Sequence, residues 1–200
     1  MTSIVKHCAT YDDIRRLPPN LTGELIAGDL LVSPRPAGPH AHAASLLGMD
    51  IGTPFQRGRG GPGGWRILYE PELHLHNDVL VPDLAGWKLE RLPAIPDDHR
   101  FVVSPDWVCE VLSPSTARFD RVAKMRAYAR AAVPHVWFVS PLDRTLEVFR
   151  LNDRVWILLR NFGADEGDDV VRAEPFDAVE LQLSALWSPE LATAVARDPF

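Results

Sequence analysis

The chain has 200 residues, of which 46% are hydrophobic and 24% charged, a balance that excludes a disordered tail-like protein and suits one folded domain over residues 1–200. A net charge of -6 and a pI near 5.6 argue against a protein that coats nucleic acid through bulk positive charge, although a local basic groove remains compatible. Two cysteines, Cys8 and Cys109, exclude a disulfide framework and fit a reducing cytoplasm; no signal-peptide core and no run of about 18 apolar residues is present, so neither secretion nor a membrane span is expected.

In chain order, residues 10–17 (TYDDIRRL) predict a short helix capped by Thr10. GELIAGDLLVSP alternates around Gly28-Asp29 and predicts a β-hairpin. Residues 40–56 predict a helix with Ala43, Leu46, Leu47 and Met49 as its apolar positions, and RGRGGPGG at 57–64 a flexible loop. WRILYEPELHLH and VLVPDLAGW predict two strands joined near Asn77-Asp78, followed by a polar, proline-marked connection over 88–100. DWVCEVL predicts a strand and ARFDRVAKMRAYARAA a helix stopped before Pro134. HVWFVS, TLEVFRL and RVWILLR predict a strand meander, and the tail from 161 starts as an acidic loop (GADEGDD) and ends in a weak helix. Helices interleaved with groups of strands imply α/β or α+β with a mixed central β-sheet flanked by helices, an N-terminal hairpin and a C-terminal meander.

One carboxylate stands out. Glu110 interrupts an apolar strand, where an ionised acid costs several kcal/mol unless it is paired or holds a metal. Side chains alternate along a strand, so Glu110 shares a face with Val108 and Leu112, while Trp107, Cys109 and Val111 take the other. Asp83, with Val81 and Ala85 on its face, sits after Pro82 near the end of a second strand; if the strands are neighbours, the two acids converge. Close carboxylates repel unless a cation lies between them, and all-oxygen acidic pockets suit Mg²⁺. Asp120, Lys124 and Tyr128 follow at four-residue spacing and stack on one helix face, which can carry the Lys124 ammonium toward the carboxylates. Two acids, a metal and a lysine form a device for phosphodiester hydrolysis.

VPD at 81–83, EVLSPST at 110–116 and the D-x-x-x-K-x-x-x-Y spacing of 120–128 resemble the "putative restriction endonuclease" family of the PD-(D/E)XK nuclease superfamily, as do GELIAGDL (23–30), SPRPAGPH (33–40) and AAVPHVWFVSP (131–141). The resemblance covers about residues 10–185, with the ends as peripheral tails. It implies a restriction-endonuclease-like fold, a Mg²⁺-dependent (or Mn²⁺-dependent) DNA endonuclease, and Asp83, Glu110 and the Val111 main-chain carbonyl as metal ligands. The lysine that the superfamily places two residues after the glutamate is Leu112 here, and Lys124 is the substitute expected to position the attacking water. Glu24 and His40 fall in family motifs and are expected, with Asp120 and Tyr128, near the same pocket. DNA is the expected partner, bound with low affinity because of the net charge, and a homodimer would supply two sites for two strands.

Other readings stand beside this one. Asp83 as a turn residue, Asp120 and Lys124 as an ordinary solvated pair, and Tyr128 as a packing residue need no chemistry. Arg118, Arg121, Arg126 and Arg130 make the helix locally basic, which suits a phosphate backbone or plain solvation. The chain could be a non-catalytic binding or regulatory protein on a nuclease fold. His74 and His76, on one face of a strand, could instead hold Zn²⁺ or Fe²⁺. The six tryptophans fall mostly in apolar strands and are expected in the core.

Overall fold

The computed structural model describes residues 3–34, 37–114 and 116–187. It opens with β1 (Ser3–Lys6) and the single-turn α1 (Tyr11–Arg15). The Thr10 backbone N–H donates to the Asp13 carboxylate at 2.8 Å, half of the capping box that starts this helix. β2 (Leu21–Ile26) and β3 (Asp29–Pro34) form the expected hairpin. Its turn is Ala27-Gly28, one residue earlier than expected; these residues take φ 53° and 85°, the pair of positive values that a type I′ turn needs. α2 (Gly38–Ile51) runs on through a π-helical turn at Gly52–Gln56, so the helix predicted over 40–56 is present and begins two residues sooner.

The stretch from 65 to 88 departs from the two-strand expectation. It makes four strands: β4 (Trp65–Tyr69), β5 (Glu72–Leu75), β6 (Asp78–Leu80) and β7 (Leu84–Lys88). The breaks fall at Pro71 and Pro82, which cannot donate to a ladder. The outer strands β4 and β7 pair in one sheet and the inner hairpin β5–β6 joins another. β8 (Arg100–Phe101) and β9 (Trp107–Val111) follow. The predicted helix is a continuous run of α3 (Ala117–Phe119), a π-helical turn at Asp120–Lys124 and α4 (Met125–Arg130). The meander is β10 (His135–Ser140), β11 (Thr145–Asn152) and β12 (Val155–Gly163), and a small ribbon, β13 (Val170–Val171) with β14 (Leu181–Gln182), comes last. The helix expected at the end of the tail lies outside the described residues.

Two six-stranded sheets result, ordered β1-β3-β2-β6-β5-β8 and β12-β11-β10-β9-β7-β4. The second is central and mixed, since β9 and β10 run parallel while its other neighbours are antiparallel. One of its faces carries Trp65, Trp107, Cys109, Val111 and Trp137, covered by Ala43, Leu47 and Ile51 of α2 and by the segment holding Phe176 and Leu183. The other carries Ala85, Val108, Val136 and Phe138, covered by Met125, Ala127 and Tyr128 and by Ile26, Leu31, Leu73 and Leu80 of the first sheet. The central mixed sheet is therefore as expected, but part of one flank is a second sheet rather than a helix. Trp87, Trp107 and Trp137 are fully buried, in keeping with the core role expected of the tryptophans, whereas Trp156 is half-buried and donates its indole N–H to the Met125 carbonyl.

Phe176 closes the first face. Its ring lies 4.7–5.6 Å, centroid to centroid, from Phe55, Trp65, Trp107 and Trp137. Phe176→Ala should lower the unfolding free energy by about 3–5 kcal/mol, read from urea denaturation midpoints, because four rigid rings cannot collapse into the space.

Candidate functional site

β7 and β9 are antiparallel neighbours with Leu84 opposite Cys109, which brings Asp83 beside the end of β9. β7 begins at Leu84, so Asp83 is not held by strand alternation with Val81 and Ala85 as expected. It is held by the Val111 N–H, which donates to Asp83 Oδ2 at 2.6 Å. Glu110 does obey alternation. Val108 and Leu112 belong to one buried layer and Trp107, Cys109 and Val111 to the opposite one, so the Glu110 carboxylate points into the layer occupied by the helical run. Only 2% of Glu110 is exposed.

That helix supplies the cation. Lys124 Nζ lies 3.0 Å from Glu24 Oε1, 3.0 Å from Glu110 Oε2 and 3.3 Å from Asp120 Oδ1. The carboxylates come from β2, β9 and the π-helical turn, so a single ammonium ties together both sheets and the helix. An ammonium has three N–H donors, and these three acids engage all of them. Glu24 Oε1 also accepts the Val81 N–H at 2.8 Å. Tyr128 donates its hydroxyl to Glu110 Oε1 from behind, fully buried. His40, in the first turn of α2, places Nε2 3.3 Å from Asp83 Oδ1, and its buried Nδ1 has no hydrogen-bond partner among the described residues.

A cavity of about 340 Å³ opens between the two sheets and is lined by Glu24, His40, Asp83, Glu110, Val111, Asp120 and Lys124. Six of the residues singled out in the sequence for chemistry or for the pocket thus share one space with Val111, and Tyr128 stands one layer behind. Glu70 also lines it and was missed. It takes φ 44° between β4 and β5, and its N–H donates to the Asp83 carbonyl at 3.1 Å. The only signal for it in the sequence is an acid before Pro71 at a strand break.

Burial dominates the electrostatics. It raises Glu24, Glu110 and Asp120 above the usual carboxylate range, Glu110 most clearly, although the Lys124 charge works against the rise. Burial by itself would lower Lys124, but Glu110, Glu24 and Asp120 hold it well above the ordinary lysine value, so it stays charged. Burial and then the Glu110 charge push the Tyr128 phenol well above its normal value, which keeps it a donor. Burial disfavours charge on His40 as well, yet its hydrogen bond to Asp83 and the charge there raise it overall. One ammonium cannot balance three buried acids, so burial favours protons on those it does not balance, and the cluster faces the cavity.

Several expected groupings do not form. β5 ends at Leu75, and His76 sits in the hairpin turn at φ 58°, so His74 and His76 do not share a strand face; His74 instead bonds Glu72 at 2.7 Å. Among the described residues, no three His, Cys, Asp or Glu side chains converge as a ready-made metal cluster. RGRGGPGG leads into the start of β4 opposite Lys88, at the other end of the strands from Asp83 and Glu70, about 15 Å away at the rise of a strand. All four arginines of the basic helix are exposed; Arg121 pairs with Glu147 and Arg130 with Asp78.

The raised carboxylates set a pH dependence. The folded protein holds protons on Glu24, Glu110 and Asp120 that the unfolded chain has already released, so stability is full below the ordinary carboxylate range near pH 4 and is lost as pH rises through the raised values. Thermal midpoints should therefore fall as pH rises above about 4, and more shallowly in Glu110→Gln, which removes one of the three titrating groups. A steeper fall in that variant would contradict the assignment.

No curated protein matches the chain by sequence. In fold it is similar to a crystal structure described as a putative nuclease belonging to DUF820, from Anabaena variabilis ATCC 29413, with a TM-score of 0.70 and 22% identity over 90% of this chain and 97% of that one. The family pattern Uma2, described as "Putative restriction endonuclease", matches residues 9–185. That span takes in β2, β7, β9 and the helical run that build the cavity, and the chain belongs to the Uma2 family.

Proposed function

We propose that the protein is a cytoplasmic Mg²⁺-dependent DNA endonuclease, with Mn²⁺ as an alternative ion, in which Asp83, Glu110 and the Val111 main-chain carbonyl hold the metal and Lys124 positions the attacking water. The observation that carries this reading is the meeting of Asp83, Glu110 and Val111, delivered by adjacent strands, at one cavity that holds more carboxylate than its ammonium can neutralise. The donor set suits the ion: it is all oxygen, and Mg²⁺ is commonly held by one or two carboxylates while keeping several waters. Each Glu110 oxygen accepts one hydrogen bond, from Lys124 or from Tyr128, and retains a lone pair for a cation. When bound, the divalent ion would polarise the scissile phosphate and lower the pKa of a water.

The remaining work falls to the chain. His40 Nε2 orients Asp83. Lys124 has no spare N–H while it serves three acids. Asp120 is the most loosely held of them, at 3.3 Å, so its release would free a donor for the water or for the developing phosphorane charge. The acidic lining repels phosphate without a counter-ion, which fits the low DNA affinity expected from the net charge. Cutting both strands calls for two sites, and a homodimer would supply them.

Wild-type protein should nick or linearise supercoiled plasmid in Mg²⁺ or Mn²⁺ at low salt, and Asp83→Ala should not. Retained cleavage in Asp83→Ala, or unchanged calorimetric Mg²⁺ binding in both Asp83→Ala and Glu110→Gln, would overturn the assignment. Lys124→Met should still bind the ion but lose cleavage, and should lose about 3–5 kcal/mol of stability because it strands three buried acids. Full cleavage by that variant would remove the lysine from the mechanism.

A further inference from the structure

Tyr128 is expected either near the pocket or in packing, and its ring belongs to the apolar layer under the central sheet. Its hydroxyl is different. It donates to Glu110 Oε1, while Lys124, one helical turn earlier, holds Glu110 Oε2 at 3.0 Å. The two oxygens of one carboxylate are thus gripped from the same helix face by two donors of different kinds. One grip alone leaves a carboxylate free to rotate about its last bond; two grips fix the plane of the group and the direction of its remaining lone pairs. Tyr128 touches nothing in the cavity, which Glu110 and Lys124 both line. Its side-chain hydrogen bond reaches the site through Glu110.

We propose that Tyr128 is a positioning residue that sets the orientation in which Glu110 presents its free lone pairs to a divalent cation. The proposal rests on the reading of Glu110 as a metal-holding group. The helix makes the arrangement possible. The π-helical turn spans Asp120–Lys124 and regular helix resumes at Met125, so Lys124 and Tyr128 stack over Glu110 while Asp120 stays beside Lys124. Hydrogen-bond partners behind ligating groups orient those groups and tune affinity, and their loss typically weakens metal binding about 10–100-fold.

Tyr128→Phe deletes one oxygen and keeps the ring. Calorimetric titration with MgCl₂ and MnCl₂ should show Mg²⁺ binding weakened about 10–100-fold, with the Mn²⁺-to-Mg²⁺ affinity ratio altered because the ion demanding stricter geometry suffers more. A purely structural tyrosine would lower the thermal midpoint and leave both affinities as in wild type, and that result would overturn the proposal. Glu110→Gln titrated in parallel separates the two ideas. If it binds Mg²⁺ like wild type, the metal reading of Glu110 fails and the proposal falls with it. If it loses binding while Tyr128→Phe keeps it, the proposal alone fails. Should Tyr128→Phe not fold, wild-type protein labelled with 3-fluorotyrosine gives an independent readout. It has three tyrosines, so the Tyr128 fluorine signal can be assigned from Tyr11→Phe and Tyr69→Phe. That signal should move during the MgCl₂ titration, and a fixed signal at saturating Mg²⁺ would overturn the proposal.

Discussion

The Lys124 ammonium, shared by Glu24, Glu110 and Asp120, is the contact on which the rest of the arrangement depends. Each acid belongs to a different element, so the hairpin of the first sheet, the central strand of the second and the helical run are all tied to a single nitrogen. A buried ion cluster of this kind is poor at adding net stability and very costly to break, because removing one partner leaves uncompensated charge away from water. The fold therefore has a strong reason to keep the lysine and all three acids together. The same lysine and acids line the wall of the cavity.

Several local irregularities of the chain meet at this cavity. Glu110 puts an acid into an apolar strand, Glu70 adopts positive φ without being glycine, Pro82 ends a ladder just before Asp83, and the helix loosens to π geometry between Asp120 and Lys124. Each departs from regular local geometry or patterning, as Ala27, His76 and the π-helical turn at Gly52–Gln56 also do elsewhere. Departures of that sort persist where the surroundings over-determine them, and they gather where a protein does chemistry. By contrast, the opposite face of the sheet is filled by aromatic rings around Phe176.

The parts of the site that were legible in the sequence depend on short-range geometry. Alternation along β9 put Glu110 opposite Cys109 and Val111, and four-residue spacing stacked Asp120, Lys124 and Tyr128; both patterns are properties of a few consecutive residues. The Asp83 position came from its proline and from motif resemblance, yet what holds it is a backbone N–H of another strand. His40 and Glu24 were noticed only through family motifs, since nothing near them in the chain indicates their partners. Glu70 was missed for the same reason. The histidine pair failed because alternation was extended one residue too far, past Leu75 into a turn.

The sequence by itself determined the main helices and strands, the buried carboxylate, the helix face that answers it and the resemblance to a nuclease-like family, because these are written in local periodicity and in residue type. Tertiary structure alone decided that Pro71 and Pro82 divide one ribbon between two sheets, that the first sheet covers part of the central one, and that all three donors of Lys124 are engaged. It also placed the glycine-rich loop at 57–64 at the far end of the strands from the acids. Those outcomes depend on which distant segments pack together. That is settled by burying apolar faces and matching buried charges over the whole molecule, a balance that no short window of residues contains.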